Sequence, residues 1–139
     1  MANMDFNLDN VKLVFRVSEK CESIRGGAAY PIRAYLHGEK IGEIWVELVE
    51  KGVKLENNFY DKNNSIYIQY LEVKRDYRHN GIGRKLLHYV KDRYKKKNVY
   101  LKVGKKNDIA LNLYKDEGFK IIKDSEEFYG YCMILKRII

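Results

Sequence analysis

The chain has 139 residues, a formal net charge of +8 and 45% hydrophobic residues, among them 12 tyrosines and 5 phenylalanines. That size and apolar content fit one folded domain over residues 1–139 and exclude a disordered chain. No apolar run approaches the ~18 residues of a membrane-spanning helix, and MANMDFNLDN lacks the pattern of a secretory leader, so the expected location is cytoplasmic.

An excess of base attracts polyanions: nucleic acid, a membrane surface or a polyphosphate ligand. Charge alone does not choose among them. Cys21 and Cys132 lie far apart without metal-ligand spacing and read as free thiols.

Along the chain, Val11–Val17 (VKLVFRV) is rich in β-branched and aromatic residues and predicts a strand. A polar connection with a glycine pair follows. Pro31 then opens a second strand, Ile32–Leu36, and HGEK turns it into a third, Ile41–Glu50. Glu43 and Glu47 share one alternating face of that third strand. Residues 51–65 are polar and Asn-rich, as in a surface loop. Ser65–Val73 (SIYIQYLEV) is almost continuously apolar or aromatic, as in a strand covered on both faces.

After RDYRHN the period changes. Ile82, Leu86, Val90 and Tyr94 are spaced four apart with Leu87 adjacent, which predicts a helix over Gly81–Lys97. Val99–Val103 is a strand. Asn107–Glu117 is a second helix, with Ile109, Ala110, Leu113 and Tyr114 available to pack and Gly118 as its stop. Phe119–Ile122 and Phe128–Leu135 close the chain as two strands around an acidic turn. The order predicts an α+β domain with one mixed, twisted sheet, whose strand–helix–strand unit makes a locally parallel pair.

The stretch RHNGIGRKLL, Arg78–Leu87, marks the strand-to-helix turn. A dinucleotide fingerprint needs a third glycine where Leu86 stands, and a P-loop needs Gly-Lys-Ser/Thr where Gly83 is followed by Arg84 and Lys85. What remains is a helix N-terminus with unpaired amides, a positive dipole end, and glycines that let a phosphate approach. Arg78 and Arg84 stand ready to add charge-assisted hydrogen bonds.

Arg78-His-Asn-Gly81-Ile-Gly83, preceded by Leu71-Glu-Val73, resembles the acyl-CoA pyrophosphate loop of the GCN5-related N-acetyltransferases, the GNAT superfamily. Asn107-Asp-Ile-Ala110-Leu-Asn-Leu113-Tyr114-Lys-Asp-Glu-Gly118-Phe119 is similar to that family's second signature helix. The resemblance covers Tyr67 to Phe119 and implies a GNAT-like fold with a βαβ acyl-CoA-binding core. Only about a dozen residues, Ser18 to Ala29, stand where larger members place two helices, so a reduced N-terminal helical region is expected. The acceptor side is then open or completed by another chain, as in a homodimer.

The resemblance implies acetyl-CoA as cosubstrate and an amine acceptor, either a small molecule or a protein. It assigns the backbone of Leu71 and Val73 to the pantetheine arm. It assigns the pyrophosphate to the amides of His79, Asn80, Gly81, Ile82, Gly83 and Arg84, with Arg78 nearby, and implies a contact from Asn107. Tyr114 would protonate the leaving thiolate while an N–H on the fourth strand stabilises the oxyanion. An incoming amine with a pKa of ~10.4 needs a base. The strand positions that carry one in relatives hold Tyr67 and Gln69 here, with Glu72 on the opposite face. Glu47, then Glu43, are the remaining candidates, and both otherwise read as exposed carboxylates. No metal is implied.

Two other classes stand beside this reading. Lys91–Lys106 interleaves bases with Tyr94 and Tyr100, as single-stranded nucleic-acid binders do. A non-catalytic acyl-CoA-binding module would keep the same loop. A hydrolase built on Cys21 or Cys132 has no partner at a telling spacing among His37, His79 and His88; His88 falls off the helix's apolar face and reads as solvated.

Overall fold

A computed structural model describes residues 13–18, 21–22, 27–127 and 129–138. The strands are β1 (Val14–Val17), β2 (Cys21–Glu22), β3 (Ala28–Leu36), β4 (Glu39–Val49), β5 (Lys54–Glu56), β6 (Phe59–Tyr60) and β7 (Ser65–Val73). Then come α1 (Ile82–Arg93), β8 (Val99–Gly104), α2 (Asp108–Asp116), β9 (Lys120–Ser125) and β10 (Gly130–Leu135). One mixed sheet has the order β1-β3-β4-β7-β8-β10-β9, with β2 also paired to β3. Among the described strands only β7 and β8 run parallel. The α+β class with a βαβ centre is as expected, and Ser65–Val73 keeps both of its predicted ends.

Pro31 lies inside β3 rather than at its start. Its carbonyl accepts the Ser18 amide at 3.0 Å, so its missing N–H faces the edge where β1 stops, not the ladder with β4. Between β1 and β3 the short β2 is described. Val11 and Phe128, two of the expected strand ends, lie outside the described residues.

The expected surface loop at 51–65 is instead a second small sheet. β5 and β6 pair as a hairpin with Asn58 at φ 58° in its turn. The hairpin folds onto the main sheet, burying Leu55, Glu56 and Asp61. Its polar composition is explained by partners distant in sequence. Glu56 meets Lys102 and Ser125, and Asp61 accepts from Asn98 and Tyr100.

α1 buries Ile82, Leu86, Leu87 and Val90, the face its periodicity predicts. It ends at Arg93 rather than Lys97, and Arg137 donates to the carbonyls of Lys91 and Lys95 there, both at 3.1 Å. In α2 the buried residues are Leu111 and Tyr114, while Ile109 is 76% exposed, a correction to the expected packing face. β9 extends through Ser125, so Asp124 stands in a strand and not in the turn.

Candidate active site

Strands β7 and β8 pair only through Ile66–Val99, Tyr67–Tyr100 and Ile68–Leu101, and then part. The parting begins beside a bulge. Along β4–β7 the register steps from Trp45–Tyr70 to Val46–Ile68, which leaves Gln69 as the extra residue. The bulge overturns simple alternation on β7. Tyr67, Tyr70 and Glu72 all face the side of Glu47, Trp45 and Glu43, so Glu72 shares a face with Tyr67.

Beyond the bulge, Lys74 N–H donates to Ile41 C=O on β4 at 2.7 Å. Backbone groups alternate along a strand, so those of Val73 and Leu71 point the other way, into the gap toward β8. Val73 C=O already accepts from Arg78 Nε at 2.9 Å. The Leu71 and Val73 backbones thus line the opening.

The chain then turns through a 3-10 segment, Arg75–Tyr77, and through His79 at φ 67° and Gly81 at φ 77°. Positive φ is uncommon outside glycine, and histidine is among the residues that adopt it more readily. Asn80 Nδ2 braces the turn on the carbonyls of Tyr77 and Arg78, at 3.3 and 3.1 Å. Helical bonding begins only with Lys85 N–H to Gly81 C=O at 3.0 Å. None of the amides from His79 to Arg84 has a hydrogen-bond acceptor among the described residues. α1 has neither a side-chain cap nor an acidic residue in its first turn. The result is a row of outward amides at a positive dipole end.

Gly83 sits where the fold does not require glycine. A Cβ there would lie 3.6 Å from Leu71 Cδ2, 3.7 Å from Leu113 Cδ2 and 3.8 Å from Val73 Cγ2, all ordinary contacts. A helical glycine costs about 1 kcal/mol relative to alanine, so its presence at the mouth of the gap points to close approach by a ligand.

The Arg84 guanidinium goes elsewhere than expected. It reaches Glu117 at 2.5 Å and Asp116 at 3.6 Å, across to the end of α2. His88 Nε2 and Lys91 Nζ meet the same Glu117 carboxylate at 2.5 and 3.3 Å, so His88 is engaged rather than simply solvated. Glu117, which the sequence reading did not single out, ties the two helices together. Burial opposes its charge, but Arg84 and Lys91 outweigh that and hold its carboxyl below the usual range. The Arg84 side chain is thus engaged between the helices, while its amide has no acceptor among the described residues.

Asn107 caps α2, its Oδ1 accepting from Ala110 N–H at 3.2 Å. Tyr114 is buried, edge-on to Phe119 with ring centres 5.9 Å apart, and its hydroxyl has no hydrogen bond among the described residues. Burial raises its pKa, so the phenol stays protonated at neutral pH.

Glu43 and Glu47 are buried, not exposed. Glu43 accepts from Arg33 at 3.1 Å, Tyr70 at 3.0 Å and Lys40 at 3.4 Å. Desolvation opposes its charge, yet these donors hold its carboxyl below the ordinary range. Glu47 receives Gln69 Nε2 at 3.3 Å, at the bulge itself. Cys132 is buried against Glu56 Oε2 at 3.5 Å, and desolvation pushes its thiol up to about 11, which removes it as a nucleophile. The side chain of Cys21 lies outside the described residues.

A family model described as the Acetyltransferase (GNAT) family matches residues 8–119. The chain belongs to the GNAT acetyltransferase family. Among curated relatives, a probable spermine N(1)-acetyltransferase of Bacillus subtilis subsp. natto is 22% identical over 135 residues, spanning 94% of this chain and 82% of that protein. An N-alpha-acetyltransferase of Sulfurisphaera tokodaii is 34% identical over 103 residues, 70% of this chain and 60% of that protein. The chain thus aligns with less than two thirds of the Sulfurisphaera protein's length. Among solved structures, Arabidopsis thaliana NAA60 in complex with acetyl-CoA superposes with a TM-score of 0.70 at 19% identity, covering 89% of this chain and 98% of that one. At 19% identity the likeness to that structure is one of fold.

Proposed function

We propose that this chain is a single-domain, cytoplasmic N-acetyltransferase that moves the acetyl group of acetyl-CoA to a primary amine. One observation carries the reading: the unpaired amides from His79 to Arg84 open beside the gap between β7 and β8. The residues fit the cosubstrate. A diphosphate suits amides at a helix N-terminus, and an extended amide chain suits the outward backbone groups of Leu71 and Val73.

Bound acetyl-CoA supplies an activated thioester. The chain's own residues do the rest. His79 to Arg84 hold the pyrophosphate through their amides, and Arg78 adds charge. Leu71 and Val73 align the arm, with Asn107 on the far side. Tyr114 keeps its proton through burial and donates it to the departing sulfur. For the base we favour Glu47 over Glu43, because Glu47 sits at the bulge where the strands part.

The two curated relatives are named for different amines, a polyamine and an α-amine, and either class suits an acceptor side with no helix described between β1 and β3. Sedimentation distinguishes a monomer from a dimer that completes that side. The nucleic-acid alternative loses its stacking platform, because Tyr94 packs against the core and Tyr100 is buried.

The test is calorimetric titration of purified protein with acetyl-CoA and with CoA, followed by spermine and an N-terminal peptide as acceptors. Binding near 1 μM, about −8 kcal/mol, with transfer to an amine supports the reading. Binding without transfer to any amine favours the non-catalytic module. A folded chain that binds neither ligand sinks the proposal.

A further inference from the structure

The strands part after Ile68–Leu101, so the apex of the gap lies at Leu101 and Lys102. A small cavity sits against this apex, walled by Leu55, Phe59, Tyr67, Tyr100, Lys102 and Cys132. Its free space is at most about one water. Leu55 and Phe59 come from the β5–β6 hairpin, which folds over the sheet there.

This wall is held at several points. Phe59 meets the Tyr100 ring edge-on at 5.6 Å. Glu56 Oε2 accepts from Ser125 Oγ at 2.7 Å and pairs with Lys102 Nζ at 3.2 Å, both partners deeply buried. At the hairpin's end Asp61 accepts from Tyr100 at 2.7 Å and from Asn98 at 2.9 Å. Buried, satisfied polar groups of this kind fix geometry rather than yield.

We infer that the β5–β6 hairpin gauges the acyl chain, with Phe59 and Leu55 closing the space beyond the carbonyl so that acetyl fits and longer acyl groups do not. The inference rests on the acyl-CoA reading of the gap. An arm laid along Leu71 and Val73 ends at the apex, so whatever follows the carbonyl enters this cavity. A packed wall cannot accept another methylene without displacing side chains.

The test needs no acceptor. Calorimetry compares CoA, acetyl-CoA, propanoyl-CoA and butanoyl-CoA on the wild type, Phe59→Ala and Leu55→Ala. We expect propanoyl-CoA to bind at least ~10-fold more weakly than acetyl-CoA to the wild type, the scale of one methylene in a fitted pocket. Phe59→Ala should bring the two within about 3-fold of each other, by the same scale. Phe59 is only half-buried, so its loss spares the main core. Leu55→Ala enlarges the cavity from the other strand of the hairpin. Equal affinities for all three acyl-CoAs on the wild type overturn the gauge and leave the acyl-CoA site standing. So does an unchanged preference in a folded variant. If neither CoA nor any acyl-CoA binds, the site reading falls and the gauge with it.

Discussion

Two helices begin at the same end of the sheet, each following the C-terminal end of one of the parallel strands, and their N-termini are built in opposite ways. α2 is closed: Asn107 Oδ1 takes the Ala110 amide, and Asp108 sits in the first turn against the dipole. α1 is open: Gly81 supplies no side-chain cap, no acid follows, and the amides from His79 onward have no acceptor among the described residues. Glycine at the N-cap costs a few tenths of a kcal/mol relative to a capping side chain, and glycine at Gly83 forgoes about 1 kcal/mol. α1 thus bears costs that α2 avoids, and it bears them where the strands part. Stability has been given up where the proposed function places an anion.

The strongest way to break the contrast is to close α1. Gly83→Glu places an acid in its first turn, and a Cβ there meets only ordinary contacts. Helix propensity and the dipole both favour the change, by up to about 1 kcal/mol each. We expect an unchanged or higher melting temperature and an acetyl-CoA affinity lower by at least ~100-fold, about 2.7 kcal/mol. Calorimetry beside a thermal melt separates the two. A variant that melts higher and still binds would show that the open amides hold nothing.

Tyr114→Phe tests what α2 contributes. It removes one oxygen from a buried ring whose hydroxyl has no described partner, so the fold should hardly respond. If the phenol is the acid, kcat falls by about 100-fold while the KM for acetyl-CoA stays. An unchanged kcat would return Tyr114 to the role of a core aromatic. Arg78→Ala comes next. It removes an arginine that, unlike Arg84, is not paired to Glu117, and one charge-assisted contact to phosphate is worth about 10-fold in affinity. The salt dependence of binding should become shallower with it. Equal loss at every ionic strength would mean instead that Arg78 acts by bracing Val73 C=O.

Much of this was legible in advance because it is local. The glycine turn, the periodicity of α1 and the ends of Ser65–Val73 all depend on residues near in sequence. What escaped depends on distant partners. Arg84 looked like a phosphate ligand, but its partner Glu117 lies 33 positions on. Residues 51–65 looked solvated because Glu56 and Asp61 are charged, and only Lys102, Ser125, Asn98 and Tyr100 make their burial tolerable. The bulge at Gln69 left no trace, since an extra residue in a nearly continuous apolar run breaks no alternation. That one residue reversed the expected face of Glu72.

Asn107 offers the finest division between the two N-termini, because one side chain serves both designs. Its Oδ1 is spent on the Ala110 amide, while its Nδ2 is the part that could reach an arm in the gap. Ser also caps well, so Asn107→Ser should keep stability within a few tenths of a kcal/mol while Asn107→Ala loses about 1 kcal/mol. Neither variant carries the amide donor, so both should bind acetyl-CoA about 5-fold more weakly, the worth of one neutral hydrogen bond. Melting curves report the cap and calorimetry reports the donor. If Asn107→Ser matches the wild type in both, Asn107 belongs wholly to α2, and the gap is lined by β7 and the turn before α1 alone.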